Sequence, residues 1–102
     1  MQSTKALLEL CVLSLLAKGD AYGYKITEHI KKHLGLTGFS LNPIMERLME
    51  SKYLVSYDKL FNGRNRRYYS LTAKGKELLA NYNNDWQNFK EKLDNFITKK
   101  EF

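Results

Sequence analysis

Apolar positions in this chain fall into four helical stretches and one pair of alternating ones. Residues 5 to 18 are apolar on nearly every side, through Ala6, Leu7, Leu8, Leu10, Cys11, Val12, Leu13, Leu15 and Leu16. A helix without a polar face has to be covered all round. A single domain this small can hardly wrap it, so a second chain is expected to cover part of it. Gly19-Asp20 ends the stretch. A second helix is predicted over about Tyr22 to Leu34, with Ile26, Ile30 and Leu34 on one face and Lys25, Lys31 and Lys32 elsewhere. Gly35 and Gly38 break the chain again. A third helix is predicted from Ser40, as N-cap, to about Ser51, with Pro43 in its first turn, where a missing N–H is tolerated. Leu41, Ile44, Met45, Leu48 and Met49 recur at helical spacing and are expected in the core. Asn42, Pro43, Glu46, Arg47 and Glu50 are left facing outward.

The period then changes. Leu54 to Tyr57 and Arg67 to Leu71 read as short strands, and Asn62-Gly63 between them is a hairpin-turn signal. The connecting loop carries Lys59, Arg64, Arg66 and Arg67 and no acid from 59 to 67. From Thr72 to about Lys99 a helix resumes. Leu79, Tyr82, Trp86, Phe89, Leu93 and Phe96 follow at spacings of 3, 4, 3, 4 and 3, a heptad seam. Such a helix is about 40 Å long and outreaches a small domain. Either it folds back on its own core or it pairs with a second copy. Its length, the aromatic seam and the over-apolar first helix favour a homodimer, with Leu7, Cys11 and the six seam residues at the interface. The fold class expected is α+β and mostly α: a winged helix-turn-helix of three helices and a two-stranded basic wing over residues 1–71, and a C-terminal dimerisation helix over 72–102.

At 102 residues the chain has room for one modest core. A formal charge of +6 favours a polyanionic partner, nucleic acid or an anionic membrane surface. The basic hairpin beside a helix of groove-entering size turns that preference towards duplex DNA. The lone Cys11 cannot form an internal disulfide and reads as a small core residue. His29 and His33 stand four apart beside Lys31 and Lys32 without a third ligand, which reads as a solvated face rather than a metal site. Lys5 and the apolar run behind it resemble a signal peptide only superficially, because Glu9 and Ser14 interrupt the run and no cleavage motif follows. The run is also too short to span a bilayer. A cytoplasmic protein with no membrane partner, no metal and no cofactor is expected. No nucleophile, base and metal ligand converge, which excludes an enzyme.

Several segments also carry a family resemblance: Leu8 to Leu16 into Gly19-Asp20, then Tyr22-Gly23-Tyr24, Ser40-Leu41-Asn42-Pro43 with Arg47-Leu48, and Arg67 to Thr72 with Gly75. In this order and spacing the chain resembles the PadR-type transcription regulators, particularly the short subgroup with a single C-terminal dimerisation helix and its multidrug-binding members. The family usually has Tyr where this chain has Asn42, and Gly near the end of the third helix where it has Lys52-Tyr53. The resemblance implies a sequence-specific duplex-DNA regulator, by family habit a repressor, with the third helix in the major groove and the wing on the backbone. Its DNA contacts would come from Ser40, Asn42, Pro43, Glu46 and Arg47, from Tyr22 and Lys25, and from Lys59, Arg64, Arg66 and Arg67. Tyr24 is either a phosphate contact or core. Asn42 can still read adenine bidentately, and Glu46 can accept from cytosine. Some members stack planar aromatic compounds between a tryptophan pair at the dimer centre. Here the resemblance places Trp86 there, with Ala6, Glu9, Leu10, Phe89 and Lys90 nearby and Glu9 pairing Lys90 across the pore. Trp86 as plain seam packing is the competing reading. The alternative function is a protein-interaction winged helix without DNA binding, which an acidic or apolar wing would mark.

Overall fold

The computed structural model describes residues 3–99, so the outermost residues of the two expected units, 1–2 and 100–102, lie outside the described residues. Helix α1 (Thr4–Lys18) begins where Ser3 Oγ accepts the Ala6 N–H at 3.0 Å, satisfying one of the free donors of the first turn. It buries Leu8, Val12, Leu13 and Leu16, and also Glu9 at 2% exposure. Strand β1 (Ala21–Tyr22) follows, then α2 (Gly23–Leu34), which buries Ile26 and Ile30. Leu34 does not join that stripe. It is 53% exposed at the last helical residue, where Gly35, at φ 66°, turns the chain away and returns its N–H to the Lys31 carbonyl.

Helix α3 (Asn42–Glu50) starts later than expected. Ser40 is not the cap; Leu41 is, without a side-chain hydrogen bond. Leu41 is drawn into the core with Ile44, Met45 and Leu48, and its carbonyl accepts from Met45 N–H at 2.8 Å. Burying a leucine stabilises by about 1.5–3 kcal/mol, more than the ~1 kcal/mol of a serine cap. Past the C-cap Ser51 the chain turns at Lys52, whose φ of 66° is left-handed, the conformation that a glycine would take without strain.

The hairpin is longer than its apolar pattern suggests. Strands β2 (Leu54–Phe61) and β3 (Arg64–Leu71) pair antiparallel from Leu54↔Leu71 to Phe61↔Arg64. Asn62 and Gly63 both have positive φ, 50° and 77°, the backbone of a type I′ turn, which fixes this register. The basic residues expected in a loop are therefore laddered strand residues. The wing also has a third strand: β1 pairs β3 through Ala21↔Tyr69 and Tyr22↔Tyr68, giving the order β1-β3-β2. Two residues are too few to show a period, which is why Tyr22 looks helical in the sequence.

Helix α4 (Ala73–Thr98) is N-capped by Thr72, whose Oγ1 accepts the Gly75 N–H at 3.0 Å and lies 2.7 and 3.0 Å from the carbonyls of Lys52 and Tyr53. Lys74 Nζ donates to the Ser51 carbonyl at 2.8 Å. Together these fasten the start of α4 to the turn that ends α3. Leu78, Leu79 and Tyr82 pack on the core, Trp86 and Phe89 are half-buried, and beyond them α4 runs free. Leu93, Phe96 and Ile97 are exposed, the last two by about seven-tenths, and the molecule measures 61 × 27 × 21 Å. Among the described residues no helix is long and apolar enough to cross a membrane.

Candidate nucleic-acid interface

Successive strand residues point to opposite faces, so the ladder register divides the wing's cations. Leu54, Tyr69 and Leu71 face the core, and Arg67, opposite Asp58, shares their side of the sheet. Lys59, Arg64 and Arg66 share the other side with Tyr57, Phe61, Tyr68 and Tyr22. The four cations are therefore not one equivalent set.

The outer face is an interleaved layer of rings and cations. The Arg66 guanidinium sits 4.4 Å from the Tyr22 ring centre and 4.1 Å from that of Phe61. Lys59 Nζ lies 5.6 Å from the Tyr68 ring, which stacks on Tyr57 at 5.8 Å and meets Tyr22 edge-on at 5.6 Å. Tyr57 Oη donates to Asp20 at 2.7 Å, and this bond raises the phenol pKa. Rings flanking a guanidinium hold it by cation–π attraction while leaving its N–H edges free. Tyr57, Phe61, Tyr68 and Asp20 are absent from the site as read from sequence. The alternation of residues 55 to 61 and 64 to 68 about Asn62-Gly63 carries the signal that would have found the three rings.

On the other side, Arg67 and Tyr69 face α3 across an open groove of about 330 Å³ that also touches Asn42, Glu46 and Glu50. Asn42, Pro43, Glu46 and Glu50 are exposed, as expected, and so is Ser40 in the loop before them. Arg47 is the exception: it is half-buried rather than fully outward. Its Nη2 is bonded to Glu9 of α1 and lies 3.5 Å from the Tyr82 hydroxyl of α4, which is itself 3.2 Å from Glu9 Oε2. The bond to Glu9 raises the Arg47 pKa further. A carboxylate at 2% exposure needs a cation or hydrogen-bond donors, and Arg47 and the Tyr82 hydroxyl supply them. The exposed face of α3 thus carries two carboxylates, and its one cation, still 39% exposed, is bonded to Glu9. From α2, Lys25 is exposed, and Tyr24, at 70% exposure, is surface rather than core.

Within the single chain Glu9 is paired with Arg47 and meets α4 at Tyr82 rather than at Lys90, which is exposed. Ala6 and Leu10 on α1 are half-buried, as are Trp86 and Phe89, whose rings lie 6.4 Å apart. Leu7, Cys11 and Leu79 are half-buried in the single chain, and burial raises the Cys11 thiol pKa, which disfavours thiolate chemistry. The His29 and His33 rings are 4.2 Å apart. Slight desolvation first, then His33 and nearby lysines, lowers the His29 pKa. Among the described residues no three potential metal ligands gather.

Comparison with known proteins agrees with this architecture. A crystal structure from Streptococcus mutans UA159 superposes with a TM-score of 0.87 at 30% identity, over 100% of this chain and 98% of the other. A PadR-like transcriptional regulator of Bacillus cereus superposes at 0.86 with 26% identity, over 98% and 100%. Bacillus subtilis PadR, solved in complex with operator DNA, superposes at 0.67 with 26% identity over 74% of this chain, which spans only 45% of that longer protein. The model of the transcriptional regulator PadR-like family matches residues 12–81. The helices and winged sheet described above belong with that match, and the chain is a member of the PadR-like family of transcription regulators, a family of regulators rather than enzymes.

Proposed function

We propose that this chain is a cytoplasmic, homodimeric repressor that binds duplex operator DNA through α3 and the outer face of its wing. The observation that carries the reading is the layer of Lys59, Arg64 and Arg66 interleaved with rings. Cations so placed neutralise phosphates and set the register of the protein on the backbone. Asn42 and Glu46 then meet base edges from α3, with Pro43 and Ser40 at its entrance and Tyr22 and Lys25 beside it. Arg67, across the groove from Glu46 and Glu50, offsets their repulsion of the phosphates. The operator-bound Bacillus subtilis PadR supports DNA as the partner. A purely protein-binding winged helix would have no use for this cationic layer.

Dimerisation covers the free end of α4 and the half-buried face of α1, with Leu7, Cys11, Leu79, Tyr82, Trp86, Phe89, Leu93 and Phe96 in the seam. Two Trp86 indoles related by the dimer axis then offer stacking faces to a planar aromatic compound, with Ala6, Leu10, Phe89 and Lys90 around them. A ligand there releases DNA only by favouring one spacing of the two α3 helices over another. The deciding experiment is a gel shift on the DNA upstream of the chain's own gene, with and without planar aromatic dyes, alongside Trp86 fluorescence. A salt-sensitive shift supports the DNA reading, and no shift overturns it. Dye quenching that lowers DNA affinity supports ligand release, and unquenched emission reduces Trp86 to packing.

A further inference from the structure

The Glu9–Arg47–Tyr82 cluster joins one residue from each of α1, α3 and α4, separated by 38, 35 and 73 positions in the chain. We propose that Tyr82 and Glu9 are positioning residues for α3: through Arg47 they tie the orientation of the DNA-reading helix to that of the long helix.

Glu9 is buried at 2% exposure in an otherwise apolar core, so its carboxylate is fixed in place. Its Oε2 accepts from both Arg47 Nη2 and the Tyr82 hydroxyl. Arg47 is the only ionisable residue of α3 that takes part in this buried contact, because Glu46 and Glu50 are exposed. Its side chain is still 39% exposed, and among the described residues its Nε is buried without a hydrogen-bond partner. The guanidinium is thus held by one nitrogen, not by the bidentate fork that would lock it. A tie made through one nitrogen and one phenol is directional. A sliding or rolling of α4 that withdraws the Tyr82 hydroxyl changes how Glu9 holds Arg47, and α3 moves with it. Apolar packing between α3 and the rest of the core tolerates such adjustment, whereas hydrogen-bond geometry does not. Tyr82 also lies one turn before Trp86 on α4, so whatever shifts the centre of the long helix reaches Tyr82 first.

The test is Tyr82→Phe, which keeps the ring in the core and removes only the hydroxyl, set against Leu78→Ala, a packing truncation on the same helix. Well below both melting temperatures, Tyr82→Phe should weaken operator affinity roughly two- to tenfold, and Leu78→Ala should keep wild-type affinity despite the lower Tm. The affinity arm rests on the DNA-binding reading above. Amide hydrogen exchange of residues 42–50 does not, and it should quicken in Tyr82→Phe more than in Leu78→Ala without any DNA. Wild-type exchange and affinity in Tyr82→Phe, or equal losses in both variants at equal Tm, would overturn the proposal. A wild-type protein that binds no duplex would sink the DNA reading and leave the exchange comparison to decide this one.

Discussion

Gly75 sits against the backbone of Tyr53: a Cβ built on Gly75 would lie 2.2 Å from the Tyr53 carbonyl oxygen and 2.5 Å from Leu71 Cδ1. This close approach is what lets the first turn of α4 dock onto the end of α3. Alanine is ordinarily better than glycine in a helix by about 1 kcal/mol, but here the methyl has no space. Gly75→Ala should therefore destabilise by roughly 1–3 kcal/mol, read as a lower urea midpoint with an unchanged slope. A neutral or stabilising effect would show that α4 docks more loosely than described.

Lys52 predicts the opposite sign. It holds a left-handed φ of 66° at the end of α3, which costs an L-residue about 1–2 kcal/mol. Lys52→Gly gives back part of that to chain entropy, so a net gain of roughly 0.5 kcal/mol is expected, seen as a higher Tm. A loss would mean that the Lys52 side chain contributes more than its backbone costs.

For the wing, Arg64→Ala with Arg66→Ala should weaken binding to all DNA sequences alike. Two arginines fewer on each protomer flatten the log–log salt slope of a dimer by about 3–4. Arg67→Ala, on the α3 side of the sheet, should change the preference among operator variants more than it changes the slope. Titrations at several salt concentrations separate the two, and equal behaviour of the pair and of Arg67 would defeat the assignment of faces.

Leu93 is 39% exposed in the single chain, so Leu93→Asp has little to disturb in an isolated protomer. In a dimer seam it buries an unpaired charge, which costs several kcal/mol. Sedimentation at tens of micromolar, about the range where a working dimer persists, should show wild-type dimer and variant monomer with the same circular dichroism. A monomeric wild type would refute the assembly.

Tyr82 gives a pH prediction. Burial first, then the Glu9 charge, raises its pKa above the ordinary 10.0. The folded state holds this proton more tightly than the unfolded chain does. Its contribution is therefore complete below pH 10 and is lost as pH rises through the folded value. Urea denaturation from pH 8 upward should show wild-type stability falling more steeply than that of Tyr82→Phe on the alkaline side. Parallel curves would place the phenol in contact with water.

The helices, the hairpin turn and the exposed end of α4 were legible because each rests on a local period or a turn dipeptide. Leu8, Ile26, Ile44 and Leu48 fall at helical spacing, and all four are buried. Arg47 was not legible. Its position on the helix and its charge both read as solvent, and the partner that holds it lies 38 residues earlier, in a stretch whose apolar neighbours hide one buried carboxylate. Strand β1 escaped because pairing with Tyr68 and Tyr69, rather than any pattern of its own, defines it. The division of the wing's cations was legible in principle, since Asn62-Gly63 fixes the parity of every residue up to Arg67, but a run of basic residues invites reading as one patch.

The engagement of α3's one cation by Glu9 has an evolutionary consequence under the proposed binding mode. General attraction to the backbone resides between residues 59 and 66, and base preference resides at Asn42 and Glu46, both exposed, with Arg67 across the groove. A substitution at either can retarget the protein without weakening its grip on DNA or its fold. Duplicated copies of such a gene can therefore acquire separate operators in single steps, and the hairpin need not change with them.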